Sequence, residues 1–442
     1  SAGRKSAATR LRAQAAVDSL TYDGWRLGGV KLEADLDQGR MNARLASAND
    51  VLEGDLQVEA TIGRQLDARL QAALTSVDLR RLGVLEDTLS VGGDVDIAFQ
   101  AARDFSTYRA DGGLRHLRFQ TPARSLMAKD LTFALSAAPD TTWLETTAGD
   151  LQLSVGTSGD VAGLMAQVGK FTETMHRQME EKRIDQQELK NVVPRIDFTL
   201  DAGRDNPLGR MLQMQGIAYS HLRLRLKTDP RYGIGGLMRF GTFEKSGLML
   251  DTVHVLLYQD STGLKMDGYI HNYRKDNPHK FKAKIASFFL GSGVGAQLVY
   301  TDQEGRKGID VGVRADLAKG GINVSVFPQH PIIAYRTFTV NDSNFVYLGR
   351  DKSIRANVQL LADDGTGLHI FGEPVDSAND LTVSLNQVNL RELSEVLPYL
   401  PRLGGMLSGD LHVTAAPSSL SAAAMFTAED LSYEDIPLGK IG

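Results

Sequence analysis

The sequence predicts a mainly β protein, elongated and repetitive, whose antiparallel strands are interrupted by short helices and one longer amphipathic helix. Three observations carry this reading. Apolar residues recur with period two along most of the chain, which places them on one face of an extended strand. Gly is abundant, at 44 residues against 13 Pro, and supplies many turns. Segments of the chain repeat at constant offsets.

Alternation runs through 52–62, 66–74, 89–99, 131–135, 151–155, 196–200, 222–226, 264–270, 309–313, 322–326 and 381–385. Its apolar-in, polar-out rhythm fits antiparallel meanders with one covered face, because parallel strands buried on both faces read as continuous apolar runs. Helical period is concentrated in one place. Val161, Leu164, Met165, Val168, Phe171, Met175 and Met179 are spaced three or four apart and lead into Glu180-Glu181-Lys182-Arg183, so one amphipathic helix is expected to reach 190, with Pro194 beyond it. Shorter helices are expected over 207–214 and over 390–397, the latter stopped by Pro398. The stripe of the long helix either packs on the sheet or gates an opening in it through Leu164, Val168, Phe171 and Met175. The chain thus reads as a repetitive β segment over 1–157, a helical insertion with a short strand over 158–215, and a second repetitive segment over 216–442 that ends as another repeat begins.

Self-similarity is the most informative signal. Leu70, Leu74, Val77, Leu79 and Leu82 match Leu381, Leu385, Val388, Leu390 and Leu393 at one offset, with Arg80 over Arg391, and both copies read as strand then short helix. Leu20, Tyr22, Leu27, Gly28 and Val30 match Leu431, Tyr433, Leu438, Gly439 and Ile441 at a second. Gly54-Asp55-Leu56, Gly93-Asp94-Val95, Gly149-Asp150-Leu151 and Gly409-Asp410-Leu411 each read as the opening of a fresh strand, the Gly taking the positive φ of a tight turn.

Composition bounds the function. With 42 % hydrophobic and 23 % charged residues the chain can bury a core, and a net charge of −5 argues against nucleic acid or an anionic membrane as a partner held by bulk positive charge. Cys is absent, which removes disulfides, thiolate metal sites and thiol catalysis. No apolar run approaches the roughly 18 to 20 residues of a spanning helix. Ser1-Ala2-Gly3-Arg4-Lys5 lacks both a starting Met and an apolar signal core, so the chain reads as an excerpt of a longer polypeptide.

Tests for chemistry give little. Nine His residues form no metal-ligand spacing, so no metal or other cofactor is expected. His271 and His279 flank a polar turn over 272–278; with Lys280, Lys282 and Lys284 it can meet an anionic headgroup, but a solvated hairpin is the preferred reading. Gly291-Ser292-Gly293-Val294-Gly295-Ala296 fits the letter of a dinucleotide fingerprint, yet the strand-like Gln297-Leu298-Val299-Tyr300 follows where a helix N-terminus must stand. No carboxylate pair or nucleophile setting stands out, and a non-enzymatic role is expected. The rivals are a surface-exposed β-solenoid or adhesin and a carbohydrate-active β-helix enzyme. An outer-membrane barrel fits less well, with aromatics at 7 %.

The pattern Leu381, Val383, Leu385, Val388, Leu390, Leu393, Pro398 and Pro401, followed by Gly404-Gly405-Met406-Leu407-Ser408-Gly409-Asp410-Leu411, resembles the repeat of AsmA-like proteins, in particular the inner-membrane subunits of translocation and assembly modules in their Bacteroidetes form. Asp363-Asp364-Gly365-Thr366-Gly367-Leu368-His369 and the stretch from Leu431-Ser432-Tyr433 to Leu438-Gly439 fit the same likeness. That resemblance implies a curved, β-taco-like antiparallel groove in the periplasm of a diderm bacterium. It implies an N-terminal inner-membrane anchor outside this chain, an Omp85-family barrel as outer-membrane partner, phospholipid acyl chains as cargo, and a link to outer-membrane protein assembly.

Such a device has a physical rationale. Exposing the two acyl chains of a phospholipid to water costs ~0.8 kcal/mol per CH₂, on the order of 20 kcal/mol in all, and an aliphatic trough removes that barrier. The candidate lining positions are Leu222, Leu224, Leu226, Ile309, Val311, Val313, Val383 and Leu385. Alternation alone leaves a second arrangement open, in which these side chains interdigitate into a dry core.

Overall fold

In the computed structural model the described residues are 10–22, 25–49, 51–83, 85–86, 88–181, 185–290, 293–318, 320–375, 378–416 and 419–442. The chain is mainly β, with 66 % in strands, and every described ladder is antiparallel in a sheet that is not closed. Helices are few: α1 (Val161–Glu180), α2 (Gln186–Val192), α3 (Pro207–Met214) and α4 (Leu390–Glu395). Two compact units emerge, Ser1–Gly169 with Pro194–Thr228, and Lys170–Val193 with Asp229–Gly442, so the segment expected as a helical insertion is shared between them.

In the first unit the long strands pair in chain order, the short Ser125–Met127 adding only to Tyr108–Gln120. The ladder runs Arg10–Tyr22, Trp25–Asp37, Arg40–Ala48, Leu52–Ile62, Gln65–Asp78, Ser90–Ala102, Tyr108–Gln120, Leu131–Ala138, Thr141–Ala148, Leu151–Thr157, Ile196–Ala202 and Leu222–Asp229. The second repeats the scheme through Gly233–Phe240, Thr252–Gln259, Gly263–Asn272, Phe281–Leu290, Gly293–Asp302, Lys307–Ala318, Gly321–Ile333, Phe345–Gly349, Ile354–Leu361, Gly367–Val375, Ala378–Asn389, Leu403–Ala416, Ser419–Tyr433 and Ile436–Ile441. Phe281–Leu290 turns straight into Gly293–Asp302, so no helix follows the glycine run; Gly291 and Ser292 themselves lie outside the described residues.

The repeat is geometric as well as sequential. The ladder slips between Leu74 and Val77, opposite Gly93, and again between Leu385 and Val388, opposite Gly409. Asp78 and Asn389 stand at the same step after each slip. Asp78 Oδ1 accepts from the backbone N of Arg80 and Arg81, and Asn389 Oδ1 from those of Arg391 and Glu392. The copies then diverge. The second continues into α4, whereas the first makes a turn over 79–83, with Gly83 at φ +70, so the short helix expected there is replaced by a turn. At the second match, Tyr22 faces Trp25 as Tyr433 faces Ile436.

Two further expectations need correction. Of the Gly-Asp pairs, only Gly149 precedes a strand as expected; Gly54, Gly93 and Gly409 lie inside strands, at or opposite slips in the ladder. Their role is close approach: a Cβ on Gly409 would stand 2.2 Å from the Met425 carbonyl oxygen. The single long helix is also two helices. Asp185 N-caps α2 by accepting from Glu188 N at 2.9 Å, which starts a new axis.

Candidate functional site

Register fixes which side chains share a face, and one face is mainly apolar in both units, with Thr146 beside Leu153 in the first and Ser287 beside Ala296 in the second as polar members. In the first, Leu226 pairs with Phe198, and the partners run on through Val155, Leu144, Leu135, Ala110 and Phe99 to Ala68. Leu224 begins a parallel row through Leu200 and Leu153. Phe198, Val155, Leu144, Leu135 and Phe99 are only half-buried, and the register continues the row from Ala68 through Ala60 to Met41.

One end of this face is covered. Leu222 is 9 % exposed and pairs with the fully buried Ala202, in the row that holds Leu151 and Ala148; Leu208 of α3 packs on this cluster. Met211 and Met214 of α3 pack on Leu89, Leu117 and Phe119. The helix forms here because Asn206 accepts from Gly209 N and Pro207 takes the first turn, where no backbone donor is needed.

The second unit has the same anatomy. Ile309 pairs with Tyr300, followed by Ala283, Ile270 and Val253, and this row is capped: Phe281, Tyr300, Ile309 and Val396 form a buried cluster with Leu393 and Tyr399 against it. Burial pushes the Tyr300 and Tyr399 phenols up, as expected beneath an apolar cover. One step along, Val311, Leu298 and Ile285 are half-buried or exposed, and Val313 is 48 % exposed. The register carries that face from Ala315 through Val324, Val346, Ala356 and Gly372 to Leu381, which puts Val383 and Leu385 on the same side as Val311 and Val313. Val383 and Leu385 are also half-buried; Leu385 faces Leu368, which packs on the buried Phe338, Val340 and Leu360.

The residues singled out as a gate behave otherwise than an apolar stripe laid on a sheet. Leu164, Val168 and Phe171 are half-buried and Met175 is exposed, while the buried residues of α1 are Thr174 and Gln178. Gln178 is held by α2, accepting from Asp185 N and donating to Asp185 O and Glu188. Gln186 of α2 reaches the strand pair at its margin, accepting from Leu264 N at 2.8 Å and donating to Phe289 O.

Two features escaped sequence reasoning. The loop read as a solvated turn is clamped: Asn272 and Asn277 are 0 % and 3 % exposed, Asn277 Nδ2 donates to Asn272 Oδ1, and Asn272 Nδ2 donates to the Tyr399 hydroxyl at 2.9 Å. Arg336 joins Glu392 of α4 to Asp364 and Thr366. Both join residues far apart in sequence; the only local hint is a pair of Asn within a charged hairpin.

Among the described residues no group of three or more His, Asp or Glu is placed to hold a metal ion. Comparisons with known proteins return no match, whether among family models, curated proteins or solved structures.

Proposed function

We propose that the chain is a non-enzymatic conduit for phospholipid acyl chains, a TamB-like periplasmic segment of an inner-membrane-anchored AsmA-like protein working with an Omp85-family barrel. The observation that carries this reading is the state of the apolar rows: the row from Leu226 to Ala68 in the first unit and the row from Val311 to Met238 in the second cross strand after strand without a polar residue, yet most of their side chains are half-buried. Contiguous apolar surface of that kind calls for an occupant, because each Å² left wet forgoes roughly 25 cal/mol. Diacyl chains suit it, since aliphatic side chains accept them without directional bonding. Within each unit the covered row, at Leu222 in the first and at Ile309 in the second, gives that unit's apolar face a closed side, and the half-open rows beside it offer the bearing surface.

Organic extraction of the purified protein followed by mass spectrometry tests the reading. It requires co-purifying phospholipid in the wild type and its loss from Leu224→Asp and Val311→Asp. Lipid-free protein from a phospholipid-rich host would refute the conduit and favour a binding role for the outer face.

A further inference from the structure

The face opposite the apolar rows in the second unit carries a cationic stripe. Arg239 pairs with His254, His254 with Tyr269 and Tyr269 with Lys284; on the next row of the same face His271 pairs with Lys282. Arg239, Lys282, Lys284 and His271 are exposed, and so are Tyr269 and Tyr273. Lys284 Nζ lies 5.4 Å from the Tyr269 ring centroid and Lys282 Nζ 5.4 Å from that of Tyr273. Among the described residues Arg239, Lys282 and Lys284 form no ion pair. Nearby charges are satisfied: Lys265 is bound to Asp260, Arg274 to Asp276, and Asp310 to Lys307 and Gln297. The acids on this face are Asp267, which accepts from the Tyr258 hydroxyl, and Asp310 and Asp316, which are paired with Lys307 and Arg314.

We propose that this outer face docks on an anionic phospholipid bilayer, with Arg239, Lys282 and Lys284 meeting headgroup phosphates and Tyr269 and Tyr273 seated at headgroup level. The charge is local, so the net charge of −5 does not oppose it within a screening length of about 8 Å. Arg239 stands three strands from Lys284, roughly 14 Å at about 4.8 Å per strand, while Lys282 shares a strand with Lys284, a spread suited to several dispersed phosphates, and interleaved Tyr and Lys are the side chains of membrane interfaces. The clamp on the adjoining loop, through Asn272, Asn277 and Asp251, holds Tyr273 in register, since Tyr273 N and Arg274 N both donate to Asp251 Oδ2 at 2.6 Å. The inference uses the face opposite the apolar rows and stands whether or not those rows carry lipid.

Co-sedimentation of the full chain with extruded vesicles tests it, comparing phosphatidylcholine alone with phosphatidylcholine containing about 30 % phosphatidylglycerol, at low and at physiological salt. Binding is expected only to the anionic vesicles, weakening with salt and falling about fivefold for Lys282→Gln or Lys284→Gln and about 25-fold for the double variant. Lys352→Gln, distant on the ladder, should bind as wild type, and circular dichroism confirms that each variant is folded. Equal binding to neutral vesicles, an unaffected double variant, or an equal loss in the Lys352 variant would overturn the proposal. So would capture by soluble polyglutamate without vesicle binding, which assigns the face to an acidic protein segment.

Discussion

The guanidinium of Arg336 grips the Glu392 carboxylate with two hydrogen bonds, Nε to Oε2 at 2.6 Å and Nη2 to Oε1 at 3.0 Å, across 56 positions of sequence. The pair is partly shielded, with side-chain exposures of 24 % and 31 %. It fixes α4, and Val396 just beyond α4 covers Ile309, Tyr300 and Phe281. Arg336→Ala should therefore cost about 2 kcal/mol by urea unfolding, since a shielded carboxylate loses its partner. A rise in binding of an apolar dye is expected at the same time, as the cover loosens.

The covered and open rows should respond differently to truncation. Leu117, at 4 % exposure, sits in a filled cluster, so Leu117→Ala should cost about 3 kcal/mol. Leu224 lies on a half-buried row, and Leu224→Ala should cost about 1 kcal/mol. Equal losses in the two unfolding curves would mean that the rows are packed alike.

A Cβ at position 409 has no room. Gly409→Ala would place it 2.2 Å from a backbone carbonyl oxygen, and the strands must separate locally, at a cost on the order of 2 kcal/mol. At Gly83 nothing lies within 4 Å and only the φ of +70 opposes a side chain, so Gly83→Ala should cost about 1 kcal/mol. Gly409 adds crowding to a φ of +158, so thermal unfolding of the two variants compares crowding plus backbone preference with backbone preference alone.

Acid should weaken the turn at Asp302. Burial alone would raise this carboxyl, but hydrogen bonds from the backbone N of Arg306, the Arg306 guanidinium and Glu304 N outweigh it and hold the group below its ordinary 3.8. A depressed folded value stabilises the protein above the unfolded value, and the contribution is lost as pH falls through the folded one. The stability gap between wild type and Asp302→Asn should be full at about pH 5 and above and should shrink below about pH 4. Urea midpoints across that range check the sign; a gap that widens on acidification would contradict it.

How far the sequence was legible depends on distance along the chain. Period-two stretches became strands because Leu131, Phe133 and Leu135, for example, need only their own spacing to share a face. The 207–214 helix carried its own start signals in Asn206 and Pro207. The division between α1 and α2 was hidden because Glu180 and Glu181 continue a helical pattern and the Asp185 cap resembles any surface acid. The slips opposite Gly93 and Gly409 were misread as turns, since a glycine needed for a neighbour's approach looks the same in sequence as one needed for its own φ. Arg336, Asn272 and Tyr399 were invisible as a group because each finds its role only through residues on other elements. Side-chain parity named a common face for Val311 and Val383, but its half-open state depends on what the segment around α4 covers.

Because each unit grows by laying one strand beside the last, a whole hairpin can be added or deleted without reversing which side chains point inward. Evolution can thus tune the reach of such a scaffold in steps of two strands, keeping its interior chemistry constant while its length changes.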